Sequence, residues 1–579
     1  MPFIISIMSK LLVAAIDFGT TYSGYGFSFR HDFESNPLKI SLNQWASGTG
    51  RLLTEKTPTC VLFNPDGEFD SFGFEAEEKY GNLALDEEHK PWYYFRRFKM
   101  GLYDQQGISR RYRIEEEGTK KTMDAMKVFT ASIKYLKDHM ISNCANQLVR
   151  IQEDEIYWVL TVPAIWSDPA KKFMREAAEN AGISTDRLKI ALEPEAAALF
   201  CKYLPIEKRG DTFQPGSKYM VIDAGGGTID ITVHEVQTNK TLKELYKANG
   251  GPWGGVRVDE ALRDLLADIV GTDIMEKFSL SQKIDEIDLF RDFEIKKKTI
   301  KPDTKDMVTF KVPTALVNLF SETKNKNIST VVESNKKYKG KLKWVGDKLR
   351  MEANITQGLF EESCDKIVDH VQSIFRDKKV KEIKTILLVG GYAESPMLQE
   401  SMQKKFGHLK IIIPQEAGLS VLKGAVIFGH EPDAISTRKC KYTYGVDNTE
   451  IFDPKLHPAE KKIVINGKDR CDDIFSTHVI VGQEIHVGES QVSQRYGVLK
   501  PNQTTMLFNL YASTIQNPKF VTDISCQHLG KFTIELPDTT KGLDRHVEVN
   551  LTFSGTEIEV TATDIDTGRS VKTVVDFLG

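Results

Sequence analysis

The chain has 579 residues, 40% hydrophobic and 27% charged, with a formal net charge of −4. That length is too great for a single hydrophobic core, so several domains are expected in a soluble globular composition. The absence of a basic excess argues against nucleic acid as the main partner. Seven cysteines, Cys60, Cys144, Cys201, Cys364, Cys440, Cys471 and Cys526, are scattered singly with no CxxC pair. Such a set fits reduced thiols in the cytoplasm better than a disulfide or zinc framework, with the nucleus also open.

The start, MPFIISIMSK, is apolar but lacks a basic region and runs at once into a strand. It reads as neither a signal peptide nor a membrane span, which would need about 20 apolar residues. Leu11 to Phe29, LLVAAIDFGTTYSGYGFSF, follows as a hairpin with a polar tip. An apolar run ends in Asp17, Phe18-Gly19-Thr20-Thr21 turns the chain, and Tyr25 to Phe29 returns. A small tip with a glycine lets backbone N–H groups converge on an anion, and the leading carboxylate suits a water-held magnesium ion. Taken alone, the segment is equally well explained as an ordinary turn.

Trp92 to Lys99, WYYFRRFK, combines aromatic and basic residues. It reads either as an amphipathic stretch with its arginines in water or as the source of a basic group for a phosphate. Met123 to Leu136 has helical spacing, and Ile156 to Val162 is a buried-strand run stopped by Pro163. Ser167-Asp168-Pro169 opens a helix that Gly182 ends. Leu188 to Leu192 is a short strand leading into Glu193-Pro194-Glu195-Ala196-Ala197-Ala198. Glu193 stands at this junction, where a carboxylate could simply cap the helix.

Tyr219 to Val233, YMVIDAGGGTIDITV, repeats the first design with Asp223, Gly225-Gly226-Gly227-Thr228 and Asp230. Two distant copies of one loop suggest a duplicated fold closing on one ligand from both sides. Three glycines in a row are costly to order and make sense where backbone approaches a ligand such as a triphosphate. Gly250 to Gly255 is a glycine-dense turn before a helix near Val258. Phe290 to Ile300 is helical with Glu294, Lys297 and Lys298 at helical spacing, a pattern a solvated face also explains. Asp303 to Arg350 carries no clear pattern. A helix over Leu359 to Phe375, a strand over Thr385 to Val389 entering Gly390-Gly391, and a helix over Leu419 to Gly429 follow.

From Tyr442 onward apolar and polar residues alternate. Val547, Val549, Leu551 and Phe553 share a face, Ser554-Gly555-Thr556 turns, Ile558 and Val560 return, and Asp566-Thr567-Gly568 turns again. This reads as an all-β domain with one face in solvent.

IDFGTTYSG, VPAIWSD, EPEAAA, IDAGGGTID and LLVGGYAESP, in this order, resemble the nucleotide-binding domain of DnaK-type heat-shock chaperones of the actin and hexokinase ATPase superfamily. GKFTIELPDTTKGLDRHVEVNLTF and IEVTATDIDTGRSV are similar to that family's β-sandwich peptide-binding domain. EPEAAA, the WYYFRRFKMGLY cluster and GGYAES point to its divergent heat shock 70 kDa protein 12 branch. The resemblance implies an α/β fold: a duplicated two-lobed ATPase domain over residues 1–436, then an all-β sandwich over 437–579 without a helical lid.

The resemblance further implies ATP/ADP and Mg2+ as cofactors. Gly19, Thr20, Thr21 and Tyr22 would hold the β- and γ-phosphates from one side, and Gly225, Gly226, Gly227 and Thr228 from the other. Asp17 and Asp223 would hold hydrated magnesium, and Glu193 and Asp230 would orient the attacking water. Either Arg97 or Lys99 would contact phosphate. Gly254, Gly255, Glu294, Lys297, Lys298, Gly390 and Gly391 complete the cofactor-binding set. Lys298 and Glu394 stand where typical members have arginine, and Gln415 where they have aspartate, so guanidinium stacking on the base is lost.

Ser436-Thr437-Arg438-Lys439-Cys440 replaces the usual aspartate- and leucine-rich linker. No lid or acidic co-chaperone-binding tail is seen before Gly579, so the co-chaperone contacts of typical members lose their anchor. The expected function is Mg-dependent ATP binding with slow hydrolysis to ADP and phosphate, serving a chaperone-like role toward protein or peptide clients. The alternative is a nucleotide-gated scaffold or signalling adaptor with negligible hydrolysis. A small-molecule kinase shares both phosphate loops but would lack the β-domain.

Overall fold

The computed structural model describes residues 11–46, 53–103, 107–117, 119–146, 151–554, 557–575 and 577–578. The apolar start and the Gly555-Thr556 part of the expected turn lie outside them.

The first half is built on a sheet whose strands are apolar on both faces. β1 (Leu12–Phe18) is buried throughout and forms an antiparallel hairpin with β2 (Tyr22–Phe29). Helix α1 (Ala125–Asn146) precedes β3 (Ile156–Val162), which lies parallel to β1. Continuous apolar runs of this kind are expected where helices cover both faces of parallel strands. Helix α2 (Asp168–Asn180) starts at Ser167, whose side chain accepts from the Ala170 amide, with Pro169 in its first turn. β4 (Leu188–Leu192) pairs parallel to β3 and runs directly into α3 (Glu193–Tyr203). The spatial order is β4-β3-β1-β2, with a short Ser41–Leu42 strand antiparallel beside β2.

The second half uses the same succession of strand senses. β5 (Lys218–Ala224) and β6 (Ile229–Val236) form an antiparallel hairpin, and β7 (Leu242–Gly251) pairs antiparallel beyond β6. Helices α4 (Val256–Val270) and α5 (Lys283–Lys297) cover one face. β8 (Thr385–Val389) lies parallel to β5, and after α6 (Pro396–Phe406) β9 (Lys410–Ile412) lies parallel to β8. Helix α7 (Ser420–His430) then packs on α3. Together they form a core between the two sheets: Ala196, Ala197, Leu422 and Ala425 sit with Val13 and Val159 of one sheet and Val221 and Leu387 of the other.

The stretch without a clear sequence pattern holds helices Thr314–Lys324 and Ile328–Ser334 and a three-stranded antiparallel sheet of Val308–Lys311, Lys348–Met351 and Leu342–Val345. These pieces are too short for periodicity to reveal, and they fold because Phe310, Trp344 and Leu349 join the core of the second half.

β10 (Ile435–Lys439) overlaps the stretch read as a linker, yet it is an integral strand parallel to β7. Its other edge pairs with Glu484–His486 of the C-terminal region. There, antiparallel sheets of five and four strands share one apolar cluster that includes Val446, Phe508 and Ile534 from one sheet and Val547, Leu551 and Val560 from the other. The region is tied to the first half: Tyr444 hydrogen-bonds Asp168, Lys441 donates to the carbonyl of Trp166 at 3.0 Å, and Arg175 pairs with Glu557 at 2.7 Å. Among the described residues no helix is long and apolar enough to cross a membrane.

Candidate functional site

Two hairpin tips meet across a cleft of about 560 Å³. β1 and β2 stay in register from Leu12 opposite Phe29 to Phe18 opposite Ser23, leaving Gly19 to Tyr22 as the first tip. β5 and β6 end with Ala224 opposite Ile229, leaving Gly225 to Thr228 as the second. The carbonyls of Gly225, Gly226 and Gly227 accept from the amides of Gly255, Val256 and Gly254 at 3.1, 2.9 and 3.1 Å, so the glycine-dense turn backs the loop. A Cβ on Gly226 would strike Thr21 Oγ1, and one on Gly227 would sit 2.7 Å from Thr20 Oγ1. The second tip is glycine because the first tip lies against it.

Acidic residues gather beneath the tips. Asp223 stands directly opposite Asp230 in the hairpin register, an arrangement that destabilises a sheet unless a cation offsets it. Asp17 Oδ1 accepts from Thr161 on β3 at 3.0 Å, and its Oδ2 accepts from Lys56 Nζ at 2.6 Å. Glu193, the first residue of α3, accepts from Lys99 Nζ at 2.6 Å. Lys99 is 2% exposed and lies 5.2 Å from the Trp166 ring. Asp230 accepts from the Ile165 amide at 2.9 Å, and its other carboxylate oxygen is buried without a hydrogen-bond partner.

Burial, reinforced by the charges of Glu193, Asp230 and Asp17, holds the Asp223 carboxyl well above the usual range. Burial pushes Glu193 up to about 7 despite Lys99, and raises Asp230 against the Ile165 hydrogen bond. A negative charge excess held out of water in this way favours a cation or a bound proton.

Arg97 and Lys99 part company at the end of strand Tyr93–Arg96. Arg97 takes a left-handed φ of 55°, and a 3₁₀ turn, Phe98–Leu102, follows. Arg97 donates to Asp259 at 2.9 Å, and Arg96 pairs with Glu117 at 3.2 Å. The arginines of the cluster are therefore engaged in ion pairs rather than left in water. Lys99 is the one of the pair that lines the cleft.

The other end of the cleft is crowded with ions. Lys297 donates to Asp259 at 2.7 Å and pairs with Glu294 at 2.6 Å, so Arg97 and Lys297 share one carboxylate. Lys298 faces Glu394 at 3.5 Å, and Glu394 accepts from the Gly418 amide at 3.2 Å. Gly390, at φ 90°, turns the chain from β8 into the wall formed with Gly391 and Tyr392, and Gln415 lies nearby. Tyr22, Thr228 and Gly255 also line the cleft, whereas Gly254 lies behind the glycine loop.

Residues 104–430 match the family described as Hsp70 protein. The chain is 34% identical to human heat shock 70 kDa protein 12B over 98% of this chain and 91% of that protein. It is 33% identical to mouse heat shock 70 kDa protein 12A over 98% and 92%. The chain belongs to the Hsp70 family. Within that family its likeness is to the heat shock 70 kDa protein 12 branch; to the chaperone protein DnaK of Psychrobacter cryohalolentis it is 24% identical over 71% of this chain and 55% of that protein. Membership brings ATP and ADP, generally with Mg2+, as the ligands shared by Hsp70 proteins.

The Hsp70 cleft of this chain fits such a group. Its donors near the tips are carboxylate and hydroxyl oxygens, which suit magnesium, and Asp230 keeps a buried oxygen unpartnered. No cluster of three or more His, Cys, Asp or Glu side chains close enough to ligate a metal directly is found among the described residues. Carboxylates spaced this way suit an ion held through its own water shell.

Two residues of the site escape sequence reasoning. Lys56, in the turn between the short strands Leu53–Thr54 and Thr57–Pro58, reaches Asp17. Asp259, on α4, gathers Arg97 and Lys297. Neither belongs to a motif, and only the approach of distant elements gives them partners.

Proposed function

We propose that this Hsp70-family protein binds Mg-ATP and Mg-ADP between the two hairpin tips and hydrolyses ATP slowly. The observation that carries this is the gathering of Asp17, Asp223, Glu193 and Asp230 with Lys99 beneath two tips packed against each other. Gly19 to Tyr22 and Gly225 to Thr228 would cradle the β- and γ-phosphates. Asp17 and Asp223 would hold the metal through water, and magnesium when bound would neutralise charge on the phosphates. Lys99 would neutralise the γ-phosphoryl oxygens. Glu193 and Asp230 would orient the attacking water, a task of positioning rather than covalent chemistry. Glu294, Lys297, Lys298, Gly390 and Gly391 would form the nucleoside end.

The matching strand order of the two sheets supports a duplicated two-lobe ATPase domain. The paired antiparallel sheets beyond Thr443 support a β-sandwich able to hold a protein or peptide client. All seven cysteines are free and six are buried, in keeping with a cytoplasmic setting. A second possibility, a nucleotide-gated scaffold with negligible turnover, draws support from the Lys298–Glu394 pair at the nucleoside end.

Calorimetric titration with Mg-ATP and Mg-ADP tests the site. Saturable heat should be weakened in Asp17→Asn, which loses a metal-side carboxylate, and lost in Gly226→Asp, whose new side chain would run into Thr21. Phosphate release should then fall by about a hundredfold or more in Glu193→Gln with nucleotide affinity retained. Binding without any phosphate release in the unaltered chain would favour the scaffold, and no binding at all would sink both.

A further inference from the structure

Lys56 enters the cleft from the first half and touches both walls. Its ammonium lies 2.6 Å from Asp17 Oδ2 and 2.8 Å from the carbonyl of Gly418, which belongs to the opposite wall just before α7. The side chain is 19% exposed and its carboxylate partner 6%. A cation supplied by the chain thus stands against Asp17, one of the two carboxylates assigned above to hydrated magnesium. Lys99, which lines the same end of the cleft, is engaged by Glu193. An ammonium has three donors; Asp17 and Gly418 use two, and the third remains for a ligand oxygen.

We propose that Lys56 is a second phosphate-side cation of this cleft, sharing Asp17 with the divalent ion and allowing the polyphosphate to be held with little dependence on that ion. The proposal rests on the nucleotide reading of the cleft. It has two consequences that pull in opposite directions. Without divalent metal, Lys56 offsets Asp17 and donates to a phosphoryl oxygen. With metal present, Lys56 competes with it for Asp17, so removing the lysine should strengthen the metal's hold.

The test is titration of ADP and ATP into the full chain in excess EDTA and in magnesium, for the unaltered protein and for Lys56→Met and Lys56→Arg, with thermal melting to check folding. The unaltered chain and Lys56→Arg should bind nucleotide in EDTA, and Lys56→Met should bind about tenfold or more weakly there, the worth of one charge-assisted hydrogen bond. In magnesium, Lys56→Met should bind at least as tightly as the unaltered chain and reach half-saturation at a lower magnesium concentration. Equal loss of binding in EDTA for all three proteins would overturn the proposal. So would a folded Lys56→Met that binds more weakly in both conditions, or an unchanged magnesium midpoint. Should Lys56→Met fail to fold, Lys56→Gln takes its place with the same expectations. A chain that binds no nucleotide even in magnesium removes the nucleotide cleft itself, an outcome distinct from each of these.

Discussion

Glu394 and Lys298 face each other at 3.5 Å at the proposed nucleoside end of the cleft, and both are partly exposed. A surface pair of this kind contributes little to stability, about 0–1 kcal/mol, so its consequence lies in what the side chains offer a ligand. A carboxylate and an ammonium present no flat cation to an aromatic ring, whereas two guanidinium groups would. The double substitution Lys298→Arg with Glu394→Arg is expected to tighten ATP binding about tenfold while leaving inorganic tripolyphosphate unchanged. Competition binding against a fluorescent nucleotide measures both, and equal gains for the two ligands would show that charge alone was at work. Lys99 illustrates the opposite case: fully enclosed and held by Glu193, it depends on that partner for its place. Its identity as the inward cation was left open by the sequence, because Arg97 and Lys99 are only two residues apart. The left-handed backbone at Arg97 and the turn after it decide the matter by sending the two side chains to different acids.

Among the elements, β10 has the most to lose from a single change. Arg438 extends from it to Glu195 on α3, with Nε 2.8 Å from Oε1 and a second guanidinium bond to Oε2. Both side chains are buried, at 8% and 3% exposure. Removing one member of such a pair strands the other charge out of water and costs about 3–5 kcal/mol, whereas replacing both by apolar residues is often neutral. Arg438→Met should therefore lower the denaturant midpoint substantially, and Arg438→Met combined with Glu195→Leu should recover most of it. Failure of the double variant to recover would mean that the strand needs the charge itself. Periodicity could not have assigned β10, because its five residues, ISTRK, have a linker's composition. The strand exists because β7 and Glu484–His486 offer it two ladder edges. By contrast β1, β3, β5 and β8 were legible, since strands covered on both faces must be apolar throughout.

On the scale of the whole molecule, the junction between the two sheets and the C-terminal region is an ionic one buried within the protein. Glu244, on β7, accepts from the Lys439 amide of β10 at 2.7 Å, and burial pushes its carboxyl up to about 7 against the charges of Arg438 and Lys171. An unfolded glutamate titrates near 4.5. Between these values the folded chain holds a proton that the unfolded chain has released, so this group makes stability fall as pH rises through that window. Glu193 has the same sign over the same range. Glu244→Gln should consequently match the unaltered protein near pH 4.5 and melt a few degrees higher by pH 8, the upper limit being roughly 3 kcal/mol. Thermal melts across that range measure it. A variant less stable at pH 8 would mean that the ionised carboxylate is doing more for β10 than burial costs it.

The sequence by itself determined the two aspartate–glycine–hydroxyl tips, the apolar strands that carry them, and the alternating C-terminal strands. These depend on local chemistry: turns that require small residues and faces that must be dry or wet, which neighbouring residues alone can specify. Tertiary structure decided which cation faces the acids, the place of Lys56 beside Asp17, the shared use of Asp259, and the strand made from the supposed linker. Those outcomes depend on charges 38 to 243 residues apart in sequence meeting in the folded chain. No pattern along the chain records them, because a buried ion pair is specified by the elements that enclose it rather than by the residues beside it.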